Sequence, residues 1–128
     1  MASHPIVHVD LPANDPAAAA KFYEAAFGWQ TTHETDFDYW MFSAAGGPGG
    51  GFVRDGSDGP GESFKNEIGK PLIYLGSDDI DADLARVEAC GGRTVMTRTD
   101  IPGVGWFAMF TDPSGNRLGF FQTIAPTA

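Results

Sequence analysis

Leu11 to Asp36 reads LPANDPAAAAKFYEAAFGWQTTHETD, and Leu75 to Asp100 reads LGSDDIDADLARVEACGGRTVMTRTD. Laid over one another without a gap, the stretches share eight of 26 positions: Leu11 with Leu75, Asp15 with Asp79, Ala18 with Ala82, Glu24 with Glu88, Ala25 with Ala89, Gly28 with Gly92, Thr35 with Thr99 and Asp36 with Asp100. The offset of 64 is half of the 128-residue chain. After a four-residue insertion in the second copy the match resumes, with Met41-Phe42 over Met109-Phe110, Gly47 over Gly115 and Gly51-Phe52 over Gly119-Phe120. The pattern predicts a duplicated module of about sixty residues.

Both copies carry the same order of local signals. Ile6 to Leu11 and Leu72 to Leu75 are short apolar runs ended by turn residues, as strands are. A helix follows each. Asp15 is the expected N-cap of the first, with Pro16 at the first helical position and Gly28 as its left-handed stop. Phe22 and Ala26 are expected on its inward face. Asp79 caps the second helix, Ile80, Leu84 and Val87 share one side, and Gly91-Gly92 ends it. Three strand-like segments then follow in each copy: Trp29 to Glu34, Tyr39 to Ala44 and Gly50 to Arg54, then Arg93 to Thr97, Trp106 to Thr111 and Arg117 to Gln122. The order is βαβββ twice, with repeats at about residues 5–55 and 70–124 making a single domain. The stretch 44–70, rich in Gly and Pro, reads either as a linker between repeats or as a lid over a site. Asp112-Pro113-Ser114-Gly115-Asn116 is a hairpin turn.

Composition narrows the function. Eight Lys and Arg against seventeen Asp and Glu give a formal charge of −9. No basic stripe is available for phosphate contacts, so nucleic acid is excluded as a partner. No apolar run approaches the ~20 residues of a membrane helix, and the first fifteen residues lack the pattern of a signal peptide. The single cysteine, Cys90, forms no internal disulfide, so a reducing cytoplasm is the expected compartment. Cys90 itself reads as core.

The run Ile6-Val7-His8-Val9-Asp10-Leu11, the Asp15-Pro16 helix start, Phe22-Tyr23 before Gly28-Trp29, Asp78-Asp79-Ile80-Asp81 and the Asp112 to Asn116 turn together resemble the vicinal oxygen chelate superfamily. That group includes glyoxalase I, bleomycin-resistance proteins and extradiol dioxygenases, and the resemblance covers essentially the whole chain. It implies an α+β fold of tandem βαβββ modules forming a cup-shaped mixed sheet, and a homodimer. It also implies four metal-ligand slots, one on the first and one on the last strand of each module. Carried over by position, these slots hold His8, Gly51, Leu72 and Gly119.

Of the four, only His8 has a side chain that binds a divalent ion, so the chain is expected to hold no metal and no other cofactor. Gln122, three residues beyond Gly119, falls on the opposite face of its strand, and Glu62 and Glu67 lie in the loop. His8 then reads as a residue satisfied by a local hydrogen bond, or as a polar contact or general base for a small molecule. The candidate ligand-binding set is His8, Asp10, Trp40, Tyr74, Trp106 and Phe121, with the facing of Trp40 and Trp106 undetermined. Arg54 and Arg98 are candidate anchors for an anion or plain surface charges.

Other motifs fail on context. Gly103-Val104-Gly105-Trp106-Phe107-Ala108 has dinucleotide spacing, but a strand rather than a helix follows it. The acids at 78–81 are explained by a helix cap and first turn. The leading expectation is therefore metal-independent binding of a small aromatic or amphipathic molecule in the cup. The alternatives are an enzyme of the superfamily, metal-dependent or using His8 as base, and a dimeric interaction module without a pocket.

Overall fold

The computed structural model describes residues 3–36, 38–61 and 64–124. The elements run β1 (Ile6–Ala13), α1 (Pro16–Phe27), β2 (Gln30–Glu34), β3 (Tyr39–Ser43), β4 (Gly49–Arg54), β5 (Leu72–Gly76), α2 (Ile80–Ala89), β6 (Arg93–Ile101), β7 (Gly105–Thr111) and β8 (Arg117–Thr123). The fold is α+β with βαβββ repeated, and each half mixes parallel and antiparallel pairing. In the first half β1 pairs with β4 in parallel, and β4–β3–β2 continue antiparallel. In the second, β5 pairs with β8 in parallel, and β8–β7–β6 continue antiparallel.

The described residues fall into two compact units, one drawn from 7–36, 38–59 and 64–73 and the other from 3–6, 60–61 and 74–124. Residues 3–5, ahead of β1, thus belong with the second module, and residues 64–71, ahead of β5, with the first.

Helix α1 is fixed at both ends by its predicted caps. The Asp15 carboxylate accepts from the Ala17 and Ala18 amides at 3.1 and 3.3 Å. Gly28, at φ 73, ends the helix and donates to the Glu24 carbonyl at 3.0 Å. The inward face differs from the sequence expectation. Phe22 is 58% exposed, while Ala19, Ala20 and Tyr23 pack against Phe42 and Phe52. Alanines from 17 to 20 give the hydrophobic pattern no angular preference, so the sequence leaves open which of two adjacent aromatics turns inward. Tyr23 takes that place, its ring 4.7 Å from Trp29 and 5.6 Å from Phe52 between centroids.

Helix α2 begins at Asp79, whose carboxylate accepts from the Ala82 amide at 3.1 Å. Gln122, on the helix-facing side of β8, accepts from the Ile80 amide at 3.0 Å and satisfies a further first-turn donor. Ile80 and Leu84 are buried with Ala108, Phe110 and Phe120, and Val87 packs on them. Cys90 is exposed rather than part of the core, because it caps the helix one position short of the next inward turn after Val87.

The stretch 44–70 contains β4 and then a structured turn. There the Asn66 amide donates to the Ser57 carbonyl at 2.8 Å, and its Nδ2 donates to Ser57 Oγ at 3.0 Å. Glu67 pairs with Lys70 at 3.1 Å, and Glu62 lies outside the described residues.

The two helices' inward registers are separable by mutation. Leu84→Ala should lower unfolding free energy by about 2–5 kcal/mol. Phe22→Ala should stay within about 0.5 kcal/mol, as an exposed position does. Denaturant midpoints at constant slope measure both.

Candidate functional site

Alternation along the strands decides what each module offers beside its helix. In the first, Val9 and Leu11 of β1, Trp40 and Phe42 of β3 and Phe52 of β4 belong to the cluster under α1. Their neighbours His8, Asp10, Tyr39, Met41 and Gly51 therefore take the opposite, helix-free face. Three of these form a compact network. The Tyr39 hydroxyl donates to Asp10 Oδ1 at 2.6 Å. His8 Nε2 lies 2.9 Å from the same oxygen and 3.0 Å from the phenol oxygen. Asp10 is only 8% exposed, so its carboxylate depends on such donors to offset the loss of water.

Gly51 is what lets Tyr39 reach this position. A Cβ built at Gly51 would fall inside the Tyr39 ring, so the phenol occupies the space a side chain on β4 would need.

The second module repeats the device with different partners. Trp106, Leu118 and Leu75 pack on the cluster under α2 with Ala108, Phe110 and Phe120. Alternation sends Tyr74, Phe107, Met109, Gly119 and Phe121 to the helix-free face. A Cβ at Gly119 would strike the Tyr74 ring, and Tyr74 itself is 7% exposed. Leu72, the remaining slot, is 3% exposed.

Of the six predicted ligand-binding residues, His8, Asp10, Tyr74 and Phe121 lie on helix-free faces. Trp40 and Trp106 do not. Trp40 stacks with His33 at 4.4 Å between centroids, and Trp106 lies 5.7 Å from the Arg98 guanidinium carbon. Both tryptophans share a strand parity with core phenylalanines, which places them with the helices. Arg54 and Arg98 pair with Asp38 and Asp81, each at 3.6 Å, and neither joins the His8 network. Sequence reasoning missed Tyr39 as a member of the network. The available signal was Gly51, since a glycine within a strand marks a place where a neighbour comes close.

The metal slots implied by the resemblance do not fit an ion. Two have no side chain and are overlaid by tyrosine rings, and the third is a buried leucine. Among the described residues no three His, Cys, Asp or Glu side chains are grouped to hold a metal.

Residues 5–120 match the family described as Glyoxalase/Bleomycin resistance protein/Dioxygenase superfamily, and the chain belongs to it. A relative in Streptomyces peucetius, the anthracycline biosynthesis protein DnrV, is 38% identical over 119 residues, which cover 83% of this chain and 42% of that protein. The chain thus spans less than half the length of such relatives. Among solved structures, methylmalonyl-CoA epimerase from Mycobacterium tuberculosis superposes with a TM-score of 0.70 at 14% identity, covering 98% of this chain and 93% of the other. A hypothetical protein from Bacillus halodurans C-125 gives 0.74 at 12% identity, covering 99% of each. These two likenesses bear on the fold alone.

The seat of Tyr39 is open to a direct test. Gly51→Ala should cost about 1–3 kcal/mol, because the added methyl must displace a packed ring. In a Tyr39→Ala background the same change should cost almost nothing. A double-mutant cycle by denaturant unfolding measures this coupling.

Proposed function

We propose that the chain binds a small planar aromatic or amphipathic molecule without a metal ion, on its helix-free faces. In this reading His8, Asp10 and Tyr39 are the polar anchor on the first module's face, and Tyr74 and Phe121 are the apolar contacts that the second module's face offers by itself. The observation that carries the reading is the occupation of two metal-ligand slots by tyrosine rings, over Gly51 and Gly119. Where a metalloenzyme of the superfamily would hold an ion, this chain presents phenols, an imidazole and one carboxylate. Such surfaces suit ligands with an aromatic body and a few hydrogen-bonding groups.

The name of the Streptomyces peucetius relative points the same way, since anthracyclines are planar, hydroxylated aromatic compounds. The reading places the protein in the reducing cytoplasm, given its one cysteine, and as a homodimer, as many superfamily members are.

An anthracycline serves as the probe. Titrated into the protein with EDTA present, it should quench tryptophan fluorescence saturably, with the same affinity when Zn²⁺, Ni²⁺, Mn²⁺ or Fe²⁺ replaces the chelator. His8→Ala should weaken binding about tenfold, the worth of one hydrogen bond to a ligand, when measured under conditions where the variant remains folded. Stoichiometric metal at His8, or binding that appears only with metal, would overturn the reading.

A second reading rests on the 2.9 Å approach of Asp10 to His8, the arrangement by which a carboxylate orients an imidazole used as a general base. It makes the protein a metal-independent lyase or isomerase. Turnover lost in His8→Ala with ligand affinity retained would support it. Turnover at the wild-type rate in that variant would dismiss it.

A further inference from the structure

The internal repeat pairs two grooves that differ in size and in one pair of lining residues. Beside α1, Leu11, Ala19, Phe22, Tyr23 and Phe52 line an open groove of about 520 Å³. Beside α2, the repeat-equivalent residues Leu75, Asp83, Arg86, Val87 and Phe120 line a groove of about 270 Å³ together with His4. Ala19 and Phe22 are thus replaced by Asp83 and Arg86, which gives the second groove a charged anchor. The anchor is in use. His4 Nε2 lies 2.9 Å from Asp83 Oδ2, and its ring lies 6.2 Å from Phe120 between centroids. The next residue, Pro5, accepts from the Gly76 amide at 2.8 Å. His4 holds this position at φ 51, a left-handed backbone that side-chain-bearing residues avoid.

We propose that His4 and Asp83 form a pH-responsive latch. It fastens His4 and Pro5 against the second module while the imidazole is charged, and loosens when the imidazole is neutral. The physical basis is the difference between a charge-assisted and a neutral hydrogen bond, set against the cost of the left-handed backbone at His4.

Asp83 remains the fixed partner throughout. It is 6% exposed. Burial works to raise its carboxyl, but hydrogen bonds from Ser77 at 2.5 Å and from His4 outweigh it, so Asp83 titrates below the usual carboxylate range. The other titratable groups at this groove come from α2. They are Arg86, on Asp83 Oδ1 at 2.8 Å, and the Cys90 thiol at the helix's C-cap. The strands contribute Leu75, Phe110 and Phe120, which do not titrate. The sign follows directly. A charged histidine beside a carboxylate adds stability at low pH that is lost as pH rises through the imidazole's titration.

Hydrogen exchange at the Gly76 amide reads the latch, because its bond partner is the Pro5 carbonyl. With intrinsic rates corrected, the protection factor should be about tenfold higher at pH 5.5 than at pH 7.5 in the wild type. It should be equal at the two pH values in His4→Gln, which keeps a donor that does not titrate. Asp83→Ala, which copies Ala19 of the first module, should give low protection at both while β7 amides stay protected. If Asp83→Ala does not fold, the His4→Gln comparison still decides. Protection that is flat with pH in the wild type, or that keeps its slope in His4→Gln, would overturn the proposal.

Discussion

A strand has two faces, and a helix laid across it claims one of them. In each module this constraint sorts the aromatic residues before any question of chemistry arises. Phe42 and Phe52 go under α1, Phe110 and Phe120 go under α2, and both tryptophans of interest follow by parity. What remains on the other side of the strands is a mixed population: an imidazole, a carboxylate, tyrosines and glycines beside Met41, Phe107, Met109 and Phe121. The chemical character of the protein is therefore set by the residues the helices leave uncovered.

On that uncovered side, tyrosine rings lie in close approach to glycine backbone. A side chain at position 51 or 119 would have to share its volume with a ring. With glycine there, Tyr39 and Tyr74 settle against bare backbone, and Tyr39 gains the Asp10 oxygen as acceptor. A carboxylate as little exposed as Asp10 is costly unless donors surround it, and Tyr39 and His8 supply that environment from two different strands. Each of the three side chains depends on the other two. Among the described residues no buried side-chain nitrogen or oxygen is left without a hydrogen-bond partner.

The parts of this arrangement that the sequence disclosed are those encoded locally. Asp15, Gly28 and Asp79 act through their own backbone neighbours, and each does in the structure what its residue type dictates. The internal repeat likewise exposes the order of elements and the equivalence of Gly51 and Gly119. Contacts distant in sequence were less legible. His4 meets Asp83 across 79 residues, and Tyr39 meets Asp10 across 29, with no periodic signal announcing either. The inward register of α1 was hidden because alanine has too little surface to favour one side, and Cys90 was misplaced by a single residue at a helix end.

That one thiol has a practical consequence. Cys90 is the chain's sole cysteine, stands in solvent and borders the groove that receives His4. A maleimide dye would thus attach at a single known address with unit stoichiometry, and would report on whatever enters or leaves that groove. The same accessibility carries a liability in oxidising buffer, where two polypeptides can become covalently joined through sulfur and mimic a native dimer on a sizing column.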